Sequence, residues 1–151
     1  MSDEEVLSNV NTYFFAGSDT TSLTLTWVLY LLATHPDVQE RLRAELRAFA
    51  MEHSNAPFSD EEEWREYWSS LDDLPHLNNI IRETLRLISP LHSSIRVAMQ
   101  DDEIPTSEPI KTRDGTLQYG IRIKRGQFVH IPVEAMNTDK SVWGDDAWTF
   151  K

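Results

Sequence analysis

The sequence of 151 residues contains no cysteine. Disulfide bonds and thiolate-bound metals or clusters are therefore excluded within these residues. Basic residues are few as well, because 14 lysines and arginines stand against 25 acids, giving a net charge of −11. Such an excess of negative charge repels phosphate backbones, which argues against a nucleic-acid partner. The four consecutive acids at 60–63 are predicted to form a solvated face or loop.

Long hydrophobic runs and metal-ligand patterns are also missing. The longest apolar run, Trp27 to Ala33, falls far short of the ~20 residues that span a bilayer, so no transmembrane segment is predicted. The acidic start, Met1 to Glu5, does not fit a signal or transit peptide. No two histidines stand four residues apart, and we predict no metal site built from this chain's side chains alone.

Apolar periodicity predicts a mainly helical chain. Ser2 and Glu5 form a capping box that begins a long, proline-free helix, which ends at Thr34 before Pro36. Apolar residues surround the second half of this helix, which predicts burial on several sides. Further helices are predicted over 36–49, around Trp64–Trp68 and over Leu71–Ser89, with a polar loop at 51–63.

A small antiparallel β portion is predicted beyond Pro90. An Asp114-Gly115 turn favours a hairpin at 110–117, and the alternating segments 121–123 and 129–131 favour a second hairpin around 124–127. A short helix at Val133–Asn137 and an irregular aromatic tail complete the prediction.

The hexapeptide Ala16 to Thr21 places weak helix formers inside the first predicted helix. Thr20 and Thr21 can each donate a hydroxyl to the carbonyl four residues earlier, which bends or opens a helix. Asp19 is expected in apolar surroundings, where desolvation favours the protonated acid and suits it to proton handling. A turn between two helices, capped by Ser18 or Asp19, explains the same residues equally well.

Three later features are ordinary when each is taken alone. Glu83 and Arg86 form an i, i+3 pair worth ~0.2–0.5 kcal/mol, and periodicity places it opposite the Leu77/Ile81/Leu85 stripe, exposed to solvent. Arg96 fits a surface arginine, and Trp143 to Phe150 fits an aromatic surface loop.

Together and in this order, these segments resemble the cytochrome P450 family of haem-thiolate monooxygenases. Ala16 to Thr21 matches the family's A/G-G-x-D/E-T-T/S signature. Glu83 to Leu87 followed by Pro90 is similar to E-T-L-R-L-x-x-P, and Trp143 to Phe150 is similar to the stretch before the P-E-R motif. In its general character the sequence resembles eukaryotic members of this family, such as the fungal ones.

The resemblance implies a partial cytochrome P450 fold, mainly α with a small antiparallel β portion. It implies one incomplete domain over 1–151, with the oxygen-activating helix at 1–34. The helices at 36–89 would include the E-x-x-R helix, and 90–151 would hold β hairpins and the approach to the meander.

The resemblance also implies roles for individual residues. Asp19 and Thr20 would deliver protons to oxygen, while Ala16 and Gly17 would leave room for it over the haem. Arg96 would pair with a haem propionate, a contact that suits guanidinium geometry. Two structural assignments complete the set: a buried ion pair packed against a downstream arginine (Glu83, Arg86) and substrate-pocket residues (Ser93, Ser94, Ile95).

The implied parent activity inserts one atom of dioxygen into a small, apolar organic substrate, with electrons from an NAD(P)H-dependent reductase. The implied cofactor is haem, and its axial cysteine is expected beyond Lys151. The isolated chain is therefore expected to be inactive, because oxygen–oxygen cleavage needs the thiolate. An endoplasmic-reticulum membrane location is implied for a eukaryotic parent.

Two other classes of function stay open on the sequence alone. One is a non-enzymatic, acidic helical interaction module, or the product of a pseudogene. The other is an enzyme that uses Asp19 or Glu83 as an acid or base, although the sequence places no nucleophile or second carboxylate near either.

Overall fold

A computed structural model describes residues 2–53 and 60–151. Within these residues the chain forms six helices and four strands, so the predicted fold class, mainly α with a small antiparallel β portion, is confirmed. The chain divides into two compact units, a helical unit (1–90 with 134–151) and a sheet unit (91–133). Whether they belong to one domain, as predicted, stays a prediction.

Helix α1 (Asp3–Thr34) is continuous over its whole length of 32 residues, or about 48 Å. It begins at the predicted capping box, where the Ser2 side chain accepts from the Glu5 amide. It ends because Pro36 drives the preceding His35 out of the helical region. The helix runs unbroken through Ala16–Thr21, so the alternative of a capped turn at that place is wrong.

Burial of α1 is confined to its C-terminal end. Leu31 and Leu32 are buried, whereas Leu25, Leu29 and Tyr30 are 57–59% exposed. The expectation of burial on several sides is therefore wrong for the described residues. The physical reason is that α1 packs against α2 (Pro36–Glu52) and α4 (Pro75–Leu87), which cover only part of its circumference.

The core of the helical unit forms where these three helices meet the C-terminal tail. Its buried members come from α1, α2, α4 and the tail: Leu31, Leu32, Val38, Leu42, Ile80 and Phe150. Burial of each such side chain contributes about 1.5–3 kcal/mol to folding. Phe150 lies in this core, so that residue of the predicted aromatic surface loop is not at the surface.

The predicted helix over Leu71–Ser89 is wrong, because the chain forms two helices there. Helix α3 (Glu61–Asp72) includes Trp64–Trp68, and α4 begins only at Pro75. Pro75 explains the break: it disfavours a helical Leu74, which is extended, and itself fits the first turn of α4. Of the loop predicted at 51–63, residues 54–59 lie outside the described part of the chain.

The N-terminus of α4 receives its cap from another helix. Leu74 supplies no side-chain cap. Instead, the Glu45 carboxylate on α2 accepts from the amides of His76 at 2.9 Å and Leu77 at 3.0 Å. This contact satisfies two helix-terminal donors and fixes α4 against α2.

The sheet unit contains strands β1 (Ser94–Val97), β2 (Asp102–Lys111), β3 (Leu117–Ile123) and β4 (Phe128–Ile131). Strands β2 and β3 form the predicted antiparallel hairpin, with Gly115 at φ +88° in its turn. The second predicted hairpin is wrong, because β4 pairs with β1 and not with β3.

A turn next to β4 explains this pairing. Gly126 adopts φ +85°, a conformation that favours glycine, and donates to the Ala98 carbonyl at 2.8 Å. The Ala98 amide in turn donates to the Gln127 carbonyl at 2.9 Å. These bonds align the start of β4 with the end of β1.

Two short helices complete the helical unit, α5 (Val133–Asn137), as predicted, and α6 (Lys140–Trp143). Asp139 caps α6 by accepting from the Ser141 amide at 2.8 Å. Among the described helices, none combines the length and apolar character needed to cross a membrane.

Candidate functional site

A groove of about 470 Å³ lies between the middle of α1 and one face of α4. Helix α1 contributes three threonines and two apolar residues, and α4, together with Pro90 three residues beyond its end, contributes apolar side chains. The lining residues are Thr20, Thr21, Thr24, Leu25, Val28, Leu77, Ile81, Leu85 and Pro90. A mostly apolar cleft with a few polar groups on one wall is the usual form of a site for an organic ligand.

The hydroxyl of Thr20 has a fixed direction on this wall. Its Oγ1 donates to the Ala16 carbonyl at 2.7 Å, which is the bond expected from the sequence. Thr24 repeats the arrangement one turn later and donates to the Thr20 carbonyl at 2.8 Å. Because both hydroxyl protons are held by the backbone, these oxygens can only accept hydrogen bonds from a molecule in the groove.

The surroundings of Asp19 differ from the expectation. Its side chain is exposed, so the described residues do not desolvate it. The buried residues of α1, Leu31 and Leu32, lie near its C-terminus, and Asp19 lies on a more exposed part of the helix. Desolvation, the proposed source of its proton-handling character, is therefore absent from the described chain.

The neighbouring small residues, Ala16 and Gly17, lie on an open part of α1. A Cβ added at Gly17 would meet no other group within 4 Å. No described neighbour therefore requires glycine here, and glycine also weakens a helix by about 1 kcal/mol relative to alanine.

The other face of α4 carries Arg86, whose guanidinium is completely bonded. Two nitrogens donate to the Glu83 carboxylate, each at 2.7 Å. The remaining hydrogens point to the carbonyls of Asn137 at 2.9 Å, Ala147 at 2.6 Å and Thr149 at 3.3 Å. A guanidinium has five N–H donors, and all five have acceptors here.

Burial and electrostatics agree with this arrangement. The Arg86 side chain is 5% exposed and that of Glu83 is 13% exposed. The hydrogen bonds and charge of Glu83 raise the pKa of Arg86 above its usual value, against the opposing effect of burial. The ring of Trp143 lies 4.9 Å from the guanidinium carbon, a cation–π contact.

The exposure that periodicity predicts for Glu83 and Arg86 is therefore wrong. The stripe of Leu77, Ile81 and Leu85 lines the groove and is partly exposed, whereas the tail from 137 to 149 covers the opposite face of α4. The pair forms the link between α4 and the tail.

The remaining candidate residues lie in the sheet unit. Arg96 is an exposed residue of β1 that donates to the Ser94 hydroxyl and the Ile95 carbonyl. Successive residues of a strand point to opposite faces, so Ser94 and Arg96 share one face and Ile95 lies on the other. Ser93 precedes the strand and is exposed.

Comparison with known proteins shows what these elements belong to. The family model described as Cytochrome P450 matches residues 1–151. The chain belongs to the cytochrome P450 family. Cytochrome P450 monooxygenase 205 of Postia placenta is 42% identical over 151 residues, which are 100% of this chain and 26% of that protein. Ganoderic acid synthetase CYP5150L8 of Ganoderma lucidum is 41% identical over 152 residues, 99% of this chain and 26% of that protein.

A solved cytochrome P450, CYP102L1, has the same fold over most of this chain. The TM-score is 0.66 at 29% identity, and the match covers 93% of this chain and 27% of that one. The chain thus spans about a quarter of the length of the relatives it matches. These findings confirm the predicted family, the partial cytochrome P450 fold and the similarity to fungal members.

Sequence reasoning missed several groups that shape this part of the cytochrome P450. The acceptors of Arg86 are main-chain carbonyls more than 50 residues away, which leave no mark on residue type. Thr24 was detectable, since it stands four residues after Thr20 and four-residue spacing places both on one helical face. Among the described residues, no group of three or more acids or histidines is arranged to bind a metal ion.

Proposed function

We propose that this chain forms part of a haem-dependent monooxygenase, with Thr20 on the wall where oxygen is handled. The observation that carries the proposal is the fixed hydroxyl of Thr20, a residue that lines an apolar groove on an unbroken helix in a chain of the cytochrome P450 family. The names of the fungal relatives, cytochrome P450 monooxygenases, support the same reaction class.

Thr20 would act as a hydrogen-bond acceptor. Its hydroxyl proton is donated to the Ala16 carbonyl, so its Oγ1 can accept from a donor such as water or a protonated oxygen group and hold it in one position. Asp19 would exchange protons with solvent, because its carboxylate is exposed one residue before Thr20. Proton transfer would then run from solvent through Asp19 to the group that Thr20 holds.

The helical unit, taken by itself, fits part of a haem site, because open space beside Gly17 and the apolar groove suit a flat, apolar group. In the sheet unit, taken by itself, the exposed Arg96 guanidinium suits a propionate. When bound, haem would activate dioxygen, so that one oxygen atom enters the substrate and the other leaves as water. The sequence has no cysteine, so the thiolate ligand would have to come from outside these 151 residues.

Electrons would come from NAD(P)H through a reductase, and the substrate would be a small, apolar organic molecule. Ser93, Ser94 and Ile95 stay candidates for the substrate pocket. Because β1 turns Ile95 away from Arg96, we assign the apolar contact to Ile95 and leave Ser94 beside the arginine. An endoplasmic-reticulum membrane location also stays a proposal.

A pair of matched threonine variants tests the role of Thr20 in the haem-loaded enzyme that contains this chain. Thr20→Val removes the hydroxyl with little change of shape, and we expect hydrogen peroxide released per NADPH consumed to rise about tenfold or more. Thr26→Val is the control, since Thr26 makes the same type of bond, to the Ser22 carbonyl at 2.8 Å, outside the groove. Equal peroxide yields in both variants would contradict the proposal.

The isolated chain gives a second test. We expect no thiolate-type Soret band when the 151 residues are mixed with haem and reduced under carbon monoxide, because the sequence has no cysteine. Appearance of such a band would refute the expectation that the chain alone is inactive.

A further inference from the structure

Helix α1 supplies all the polar side chains that line the groove. Three of the lining residues, Thr20, Thr21 and Thr24, carry hydroxyls, and the others are aliphatic residues and a proline. The wall formed by α4 contributes only apolar side chains. A molecule in the groove would therefore meet hydrogen-bonding groups on one side and apolar groups on the other.

The hydroxyls of Thr21 and Thr24 have different hydrogen-bonding roles. That of Thr24 donates its proton to the Thr20 carbonyl at 2.8 Å, so its oxygen can only accept a further bond. In the described part of the chain, the Thr21 hydroxyl makes neither the expected bond to the Gly17 carbonyl nor any other. The Thr21 hydroxyl can therefore donate its proton to a ligand.

Helical spacing brings these two hydroxyls within reach of one ligand group. Residues three apart on a helix are neighbours, with Cβ atoms about 5–6 Å apart. Two hydrogen bonds of about 2.8 Å that share one oxygen can bridge such a gap. A ligand hydroxyl fits both residues, because the same oxygen can accept from Thr21 and donate to Thr24. A ketone oxygen can accept from Thr21 but leaves Thr24 without a donor.

We propose that the groove takes an apolar substrate that already carries a hydroxyl group, which is held between Thr21 and Thr24. Its apolar skeleton would lie against α4, where no lining side chain can bond a second polar group. Calling this molecule a substrate rests on the proposed function, in which Thr20 handles oxygen on the same wall. The binding itself depends only on the hydroxyls of Thr21 and Thr24.

Matched alcohols and ketones test whether the groove selects a hydroxyl. Cyclododecanol and cyclododecanone share one apolar skeleton, and menthol and menthone share a smaller one. Isothermal titration calorimetry would measure their binding to the oxidised, haem-loaded enzyme that contains this chain, without NADPH. We expect each alcohol to bind about three- to tenfold more tightly than its ketone, which is the effect of one hydrogen bond. Alcohols that bind no more tightly than their ketones, or that do not bind, would overturn the proposal.

Threonine variants locate the hydroxyl of the ligand. Thr24→Val should bring the affinities of each alcohol and its ketone together, because the acceptor is lost with little change of shape. Thr21→Val should weaken alcohol and ketone alike, since both accept from Thr21. Thr26→Val is the control and should change neither, because Thr26 lies outside the groove. Circular dichroism would check that each variant keeps its helices.

Two results with these variants would contradict the assignment. One is a preference for alcohols that survives Thr24→Val, and the other is a preference that is lost in Thr20→Val while Thr24→Val retains it. Failure of the proposed function would look different, because it concerns peroxide release during turnover. Binding is measured here without electron transfer, so an alcohol preference that depends on Thr24 would stand even if Thr20 had no role with oxygen.

Discussion

The buried guanidinium of Arg86 allows a sharp test of how the tail is held to α4. Arg86→Lys keeps the positive charge but replaces five fixed donors by three on one nitrogen. A single ammonium cannot bind both oxygens of Glu83 and also reach the carbonyls of Asn137, Ala147 and Thr149. At least two of the five present acceptors would lose their donor inside a nearly water-free site.

The size of the effect follows from those lost bonds. Each buried acceptor left without a partner costs about 1–3 kcal/mol, so the loss of two in Arg86→Lys should lower the free energy of unfolding by about 2–6 kcal/mol. Arg86→Met, which also leaves Glu83 as an unpaired buried charge, should cost more than Arg86→Lys, with about 3–5 kcal/mol from the broken pair alone. In a domain of this size, each 1 kcal/mol corresponds to about 2–4 °C in melting temperature.

Urea unfolding followed by circular dichroism would measure these differences. Arg43→Lys is the matched control, because Arg43 pairs with Glu40 on the exposed surface of α2 and such pairs contribute about 0–1 kcal/mol. If Arg86→Lys cost no more than Arg43→Lys, the bonds to the tail carbonyls would not stabilise the fold, and our account of the buried pair would be wrong.

Two further predictions concern single contacts. Glu45→Ala should lower the free energy of unfolding by about 1–2 kcal/mol in thermal melts, because the amides of His76 and Leu77 at the start of α4 lose their acceptor. Glu40→Ala, on the exposed side of α2, should cost less. Bonds from the Thr112 hydroxyl and from the amide and side chain of Thr116 lower the pKa of Asp114, so Thr112→Val should raise it in a carboxyl-carbon NMR titration. A lowered folded pKa stabilises the protein above the unfolded pKa and loses this effect as the pH falls. The stability difference between wild type and Thr112→Val should therefore shrink on acidification, and a constant difference would contradict the assignment.

Local signals in the sequence predicted the parts of the fold that depend on neighbouring residues. The Ser2–Glu5 box and the proline after His35 define both ends of α1, because capping and backbone restriction act within a few residues. The Asp114-Gly115 turn predicted the β2–β3 hairpin for the same reason. The identity of the family likewise came from ordered motifs, and the match over residues 1–151 confirms it.

Features that depend on distant partners could not be predicted in this way. The β1–β4 pairing joins segments more than 30 residues apart, and the alternation within β1, only four residues long, does not indicate which strand it pairs with. The break at Pro75 was within reach of local reasoning, since the restriction on Leu74 follows from the proline alone. At Asp19 local reasoning gave the wrong result, because the apolar residues near it in sequence do not enclose its side chain, which is exposed in the described part of the chain.

Helix α4 shows why apolar periodicity gave the wrong exposure for Glu83 and Arg86. Periodicity assigns one buried face to a helix and treats a charged residue on the opposite side as exposed. In α4 one face carries Ile81 and Leu85 to the groove, while the other carries a charge whose every donor is bonded. A charge so fully bonded can be buried without the usual penalty, provided the acceptors are supplied as a set. Here that set is the run of carbonyls between Asn137 and Thr149, so the tail must fold onto α4 before Arg86 can be buried at all.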